Sequence, residues 1–508
     1  MGWPSIFTES TLARYIHAIK HSPRELILNS RLLLTVALYA SAGIPITWDQ
    51  GSSSVVPSLP GFQLKFGITS AANPEQISNF VSLVYVGAGV GGGLSFFLND
   101  RIGRLWSFRL YSAVYIVGQL IATLSDGHLG ALYTARIISG LGIGSRPDRV
   151  PGLLSVWFSV AMLLALTVSC LVVLAAYLHV AVGAMQYQIV FFVPMIVMAV
   201  MIAVSFFLYE SPRWLSLAAR DDEALHTLTT LRGLPESHHR VTSEMDAIRD
   251  LVQHQKTIGT SLIASCREAF LVPSNLRRVQ QAVLSYALAQ LSGANSVTSY
   301  LVPILSMMGL GGGTERSLFL TSMYSMAKFF FTLMASFFFI DALGRRKSLF
   351  LGITIQMISD IYIGVFIKWQ QARNVTGRAS DAAVAAIFLH GFGYAVGLLI
   401  LPYVFGAEVW PNQIRSFGAS FSQLFHWLFY FGVNKGMPSL LTNTHNWGAF
   451  LFFAGWCFVA LLYVFFIVPE TAGLGLESLD AVFEQPLWKA YLSTRRLQKP
   501  VVVSAEDP

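Results

Sequence analysis

The sequence predicts an all-α membrane protein of twelve transmembrane helices in two pseudo-symmetric six-helix halves. Three observations lead there. The 508 residues are 54% hydrophobic and only 12% charged, whereas soluble domains run near about 25% charged. Apolar windows of membrane-spanning length, about 20 residues, recur along most of the chain. One charged cluster occurs twice, each time after a long apolar run: Asp100-Arg101-Ile102-Gly103-Arg104 and Asp341-Ala342-Leu343-Gly344-Arg345-Arg346. An acid, two residues, Gly and Arg at equivalent places in two hydrophobic halves indicates a duplicated membrane unit. Many secondary transporters are built so, with the substrate site between the halves.

Residues 1–30 are polar and basic, with Arg14, Lys20, His21 and Arg24, and precede the first apolar run. They read as a cytoplasmic segment with no cleavable signal peptide. Spans follow at 31–48, 77–98, 106–124, 128–145, 152–180 and 187–209 within a first half of 31–209. The stretch 210–279 is polar and reads as amphipathic helices on the cytoplasmic face. Its adjacent His238 and His239 read as solvated loop histidines rather than zinc ligands. A second half of 280–468 has spans at 280–309, 316–340, 348–368, 382–407, 416–441 and 446–468, and 469–508 form a cytoplasmic tail.

Charge orients the bundle. The loops after spans 2, 8 and 10 carry Arg101 and Arg104, then Arg345, Arg346 and Lys347, then Arg415, so they face the cytoplasm. The loop after span 9 is then external. It holds Asn374-Val375-Thr376, a glycosylation sequon. It also carries Arg373 and Arg378, a mild exception to the charge rule. The net charge of +7 belongs to this loop bias, not to nucleic-acid binding. Cys170, Cys266 and Cys457 have no metal-ligand spacing and no disulfide pattern. No nucleotide-binding glycine loop, metal cluster or nucleophile motif points to an enzyme or a cofactor. Energy for transport would come from a gradient.

Six motifs carry a resemblance. They are Trp48-Asp49-Gln50-Gly51; Arg136 with Gly140, Gly142 and Gly144; Glu210-Ser211-Pro212-Arg213-Trp214-Leu215; Gln290-Leu291-Ser292-Gly293-Ala294-Asn295; Glu408 through Arg415; and Pro469-Glu470-Thr471. In this order, over about residues 40–485, they resemble the sugar porter branch of the major facilitator superfamily, particularly fungal hexose and quinate-type permeases. The resemblance implies the major facilitator fold and alternating access around a central polar cavity. It implies a monomeric solute carrier in the plasma membrane, both termini cytoplasmic, acting on a sugar or sugar-derived polyol or acid and on protons.

The resemblance also assigns roles. Asp100, Arg101, Arg104, Glu210, Arg213, Asp341, Arg345, Arg346, Glu408, Arg415 and Glu470 would form a cytoplasmic latch that ties helix ends together in one state. Exposed ion pairs contribute about 0–1 kcal/mol each, so only the network could act. Asp49 and Arg136 would couple a proton to the conformational switch, as in proton-coupled members; the competing reading leaves Asp49 hydrated at an outer mouth. Gln290, Asn295, Tyr300, Lys328, Tyr403, His426 and Trp427 are the candidate substrate contacts. Lys328 either holds a substrate carboxylate or is a paired or snorkelling structural lysine. His426 and Trp427 line the cavity or pack in the core.

The chain departs from the family in three ways. Amide positions become Ala289, Ser159 and Tyr430, and the span 10 Pro-Trp becomes Pro402-Tyr403. Amides donate and accept, so their loss redirects recognition of sugar hydroxyls. After Gly144 the chain passes through Ser145 to Gly152 straight into span 5, and the end of helix 4 is missing. Span 4 is left shortened, at about 25 Å against a hydrocarbon core of about 30 Å. Asp148 and Arg149 are the nearest replacements for its latch residues. The lysine expected after Pro-Glu-Thr is Ala472. A non-transporting nutrient sensor and an inactive paralogue are the alternative functions.

Overall fold

The computed structural model describes residues 29–69, 72–144, 153–258, 261–339, 343–372, 377–399, 409–411, 414–470 and 483–485, with Ala13, Ile16, His17 and Lys20. Asp341, Asn374, Tyr403, Glu408, Asp148 and Arg149 lie outside the described residues. All regular structure among the described residues is helical.

The first span is longer than the sequence suggested. It runs as α1 (Ser30–Ser41), α2 (Ile44–Val55) and a 3₁₀ turn, Val56–Ser58. Asn29 caps α1 by accepting from the Arg31 N–H, and its amide donates to the carbonyls of Thr230 and Leu231. Residues 51–58, beyond the expected end of that span at 48, are helical. Their Ser52, Ser53 and Ser54 are buried in the bundle. A short α3 (Pro60–Phe66) follows, then α4 (Pro74–Ile102), α5 (Arg104–Thr123), α6 (Leu129–Gly144), α7 (Leu153–His179) and α8 (Met185–Ser205).

Helix α6 packs against α4 and α5, and glycine sets the distance. A Cβ on Gly140 would lie 2.0 Å from the Val84 carbonyl oxygen, and one on Gly144 would lie 2.1 Å from that of Ala88. Backbones meet because nothing stands between them. At 16 residues, α6 measures about 24 Å.

The linker forms α9 (Pro212–Leu217), α10 (Asp221–Arg232), α11 (His239–Ile258) and α12 (Leu262–Leu271). Leu215, Ala224, Leu228, Val241 and Met245 close a small core of their own, which is what amphipathic helices require. Arg232 donates twice to Glu244, at 2.9 and 2.7 Å.

The seventh span is broken into α13 (Pro273–Leu291), α14 (Ala294–Ser299) and α15 (Leu301–Met307). The break falls at Ser292-Gly293, where Gly293 has φ +80. Then come α16 (Thr314–Met334), continued by a π turn, α17 (Arg345–Ala372), α18 (Arg378–Val396), α19 (Arg415–Asn443) and α20 (Trp447–Phe466). Among the described residues, nine helical segments are long and apolar enough to cross a membrane. The fourth, seventh and eleventh expected spans fall outside that set: α6 is short, the seventh is broken, and α19 is rich in Ser, Gln and Asn.

Lipid-facing stripes are evident. Along α7, Leu164, Val168, Leu171 and Leu178 are exposed, whereas Leu166, Cys170 and Val173 are buried. The early and late parts of the chain meet most extensively at α4 with α19 and at α7 with α16, and α2 also meets α14. The α4–α19 pair is bonded near both ends. Ser78 donates to the Lys435 carbonyl at 3.0 Å. At the other end the hydroxyls of Ser95 and Ser420 are 2.9 Å apart, and Ser416 donates to Asp100 at 3.0 Å.

Candidate functional site

Because the first span extends past residue 48, Asp49 sits inside α2 and not at a mouth. Asp49 and Arg136 are each 2% exposed. The guanidinium meets the carboxylate through both terminal nitrogens, Nη1 on Oδ1 and Nη2 on Oδ2, the latter at 2.9 Å. Nη2 also donates to Ser53 at 2.7 Å and Nε to the Phe80 carbonyl at 2.8 Å. The pair is bidentate and charge-assisted, the strong geometry for a buried pair. The hydrated reading of Asp49 is thereby overturned.

One residue on, Gln50 reaches the late part of the chain. Its Nε2 donates to Asn295 Oδ1 at 3.3 Å. Asn295 donates to Gln290 Oε1 at 3.0 Å and to the Tyr394 hydroxyl at 3.1 Å. Gln290 Nε2 stands 3.4 Å from His426 Nδ1. The helix break explains this convergence. Gln290 lies in the last turn of α13 and Asn295 in the first turn of α14, and the turn at Gly293 brings both side chains to one point. Three of the expected substrate contacts, Gln290, Asn295 and His426, therefore form one buried amide network. Gln50 and Tyr394 belong to it and were not among the expected contacts. Gln50 stood inside a motif read only for its aspartate, and Tyr394 lies in no motif.

The aromatic wall joins the two parts of the chain as well. Trp427 stacks on Tyr85 with centroids 5.9 Å apart and planes within 8°. Tyr430, where the family pattern has an amide, lies 4.0 Å from the Tyr85 ring. Tyr300 is turned away from the amides, and its hydroxyl donates to the Asn434 carbonyl at 3.0 Å. Lys328 is 2% exposed. It donates to Thr298 of α14 at 3.1 Å and stands over the rings of Tyr394 and Tyr324 at 5.4 and 5.9 Å. A buried ammonium so held is not snorkelling, and it adjoins the amide network through Tyr394.

The latch residues reveal a duplicated cap. Glu210 accepts from the backbone N–H of Arg104 at 3.1 Å and of Leu105 at 3.0 Å. Glu470 accepts from the backbone N–H of Arg345 at 3.0 Å and of Arg346 at 3.2 Å. Each glutamate thus sits on the N-terminus of the helix that follows the charged cluster, α5 or α17. There the free N–H groups and the helix dipole favour an anion. Gly103 and Gly344 have φ +91 and +86. A Cβ on either would lie 2.6 Å from Glu210 Oε2 or 2.8 Å from Glu470 Oε2. The repeated glycine is required twice over, by dihedral and by space.

Of the latch arginines, Arg104 donates to Ser211 at 3.3 Å, Arg346 to the Val464 and Phe465 carbonyls, and Arg415 to the Trp410 carbonyl at 3.3 Å. Arg101 is exposed. Arg213 is pushed down to about 10 by burial first and then by Arg104 and Arg415, with Asp100 opposing. Among the described residues no group of three or more His, Cys, Asp or Glu side chains is placed to hold a metal ion.

Comparisons with known proteins bear on the fold and the family. Residues 35–483 match the family model described as "Sugar (and other) transporter". The chain is 27% identical over 493 residues to a probable quinate permease of Aspergillus flavus, covering 92% of this chain and 91% of that protein. It is 26% identical over 491 residues to the quinate permease of Emericella nidulans, covering 92% of each. Its fold matches the proton:xylose symporter XylE bound to 6-bromo-6-deoxy-D-glucose, with a TM-score of 0.74, 19% identity, and coverage of 89% of this chain and 99% of that one. An inward-open structure of the xylose transporter XylE from E. coli matches at 0.68, with 18% identity, covering 89% and 99%. An all-helical chain matched from residue 35 to 483, with the family's charged clusters standing at its helix ends, belongs to the sugar transporter family of the major facilitator superfamily and is a multi-pass membrane transporter.

Proposed function

We propose that the protein is a proton symporter for a sugar-derived polyol or acid, working by alternating access between a first half of 31–209 and a second half of 280–468. One observation carries the reading. The buried Asp49–Arg136 pair lies next in sequence to Gln50, which donates to the Asn295 of the amide network. Protonating Asp49 removes the charge that holds Arg136 on α2. The α2–α6 contact then loosens, and the loosened helix carries Gln50. A proton and a hydroxyl-bearing substrate thus act on one short stretch of helix. Gln290 and Asn295 supply amide donors and acceptors for hydroxyls. Lys328 supplies a cation for a carboxylate, a chemistry in keeping with the quinate permeases among the relatives.

The reading puts the latch end in the cytoplasm, both termini inside, the chain as a monomer in the plasma membrane, and Asn374 outside as a glycosylation site. The test is uptake of labelled quinate and of labelled hexoses and polyols at several external pH values. Wild type accumulates its substrate more at acid pH. Asp49→Asn loses accumulation and pH dependence and retains exchange. Uptake that ignores pH in wild type, or no uptake of any compound, defeats the reading.

A further inference from the structure

Three buried polar side chains near the helix break have no role in the mechanism above, and they adjoin Lys328, which has one. Asp360 of α17, His390 of α18 and Gln356 of α17 are each 0% exposed. His390 Nε2 stands 3.3 Å from Asp360 Oδ1, within ion-pair reach. Yet among the described residues both oxygens of Asp360, Nδ1 of His390 and Oε1 of Gln356 have no hydrogen-bond partner. Lys328 lies within electrostatic reach of His390. A buried carboxylate with no donor is among the most costly groups a protein can hold.

Gln356 decides how the contact must be protonated. Its Nε2 donates to the Ser292 carbonyl at 2.9 Å, which fixes the orientation of the amide. The same nitrogen stands 3.2 Å from His390 Nε2. Nε2 of the imidazole therefore faces a donor on one side and a carboxyl oxygen on the other. A bare Nε2 has one lone pair, which can accept from Asp360 if that carboxyl carries a proton, leaving Gln356 a weaker, shared contact. A carboxylate beside a bare Nε2 sets two acceptors 3.3 Å apart. A proton on Nε2 instead sets two donors against each other at Gln356.

We infer that Asp360 and His390 form a second proton-binding site, whose occupancy is transmitted through Gln356 to the Ser292 carbonyl at the break of the seventh span. One proton adds to the Asp360 carboxylate, and the resulting acid donates to His390 Nε2. Losing that proton leaves the contact repulsive, and the imidazole and the Gln356 amide must reorient. Gln356 then withdraws its donor from Ser292, the residue between Gln290 and Asn295. The other titratable groups facing Asp360 are Cys457 of α20 and Tyr324 of α16, and Lys328 of α16 faces His390. Lys328 donates to Thr298, beyond the break. The two sides of the break are thus held by groups within one electrostatic neighbourhood.

This inference deepens the proton-coupled reading, but it is tested without transport. Full-length protein in lipid nanodiscs is titrated while the protonated-carboxyl stretch is followed by infrared difference spectroscopy, with aspartate isotopically labelled. The wild type should show a titrating aspartic acid band that survives in Asp49→Asn and is lost in Asp360→Asn. His390→Gln should keep that band and move its titration, and it also serves if Asp360→Asn does not fold. A spectrum of Asp360→Asn identical to wild type, or a titration unmoved in His390→Gln, overturns the proposal. If Asp49→Asn takes up substrate with the pH dependence of wild type while the Asp360 band is present, the Asp49 coupling fails and the second site stands.

Discussion

The Asp49–Arg136 pair allows a quantitative test of how the bundle is held together. Removing one partner of a buried ion pair costs about 3–5 kcal/mol, because the other charge is stranded. The two single variants should not cost the same. In Asp49→Asn the guanidinium keeps Ser53 and the Phe80 carbonyl as acceptors. The new amide oxygen can still accept one bond, so the loss sits near about 3 kcal/mol. In Arg136→Gln the carboxylate keeps only Ser53, at 3.5 Å, and the loss approaches about 5 kcal/mol. The double variant has no stranded charge. It should cost less than the sum of the singles by about 3 kcal/mol. Denaturant unfolding of detergent-purified protein, followed by tryptophan fluorescence, gives the four free energies, and Trp48 lies beside the pair. Single variants as stable as wild type, or costs that simply add, would refute the pairing as a determinant of the α2–α6 contact.

Three further outcomes follow from the geometry. Gly344→Ala should lower stability by at least about 1 kcal/mol through the positive φ alone. Thermal unfolding should show a larger loss for it than for Gly436→Ala, where a Cβ meets nothing within 4 Å. Asn295→Ala removes the hub that bonds Gln50, Gln290 and Tyr394; the KM for uptake should rise about tenfold, the equivalent of one buried hydrogen bond, and the unfolding midpoint should fall because three buried partners each lose a bond. The double variant Ser95→Cys with Ser420→Cys replaces hydroxyls 2.9 Å apart; oxidation should block uptake and reduction restore it, and unchanged uptake with the disulfide in place would mean that this end of α4 and α19 need not part.

The sequence shows most clearly what is periodic or repeated. Spans of uniform apolarity were found because hydropathy is local. The duplicated Gly-Arg cluster was found because two copies stand in one chain. Its chemistry was less visible. The backbone N–H groups that Glu210 and Glu470 accept from at these helix starts are displayed by no residue letter. The first span was expected to end at 48, one residue before Asp49, because polarity in a buried helix reads locally like a loop and Ser52, Ser53 and Ser54 follow. The break of the seventh span was missed since Ser-Gly within a polar-rich helix gives no strong stop signal. Asp360 and His390 belong to no motif, and thirty positions of sequence separate groups that the fold sets 3.3 Å apart.

The duplicated parts and the unduplicated parts divide the labour of a carrier. The caps of Glu210 on α5 and Glu470 on α17 are alike to within 0.2 Å in each donor contact. Hydrogen bonds to a charged group contribute about 1.5–3 kcal/mol each. Such a cap makes each helix start rigid in both halves, and a rigid, equivalent element cannot by itself favour one conformation over another. What biases the two states must therefore lie where the halves differ. The early half holds a carboxylate satisfied by arginine, and the late half holds a carboxylate with no donor except a shared proton. The seventh span, broken at Ser292-Gly293, touches the amide network on one side and the Asp360–His390 pair on the other. If the proposed substrate and proton sites are right, both act on this break, and a ligand shifts a conformational equilibrium only by its differential contacts with the two states. Those two residues are where such differential contacts can be made.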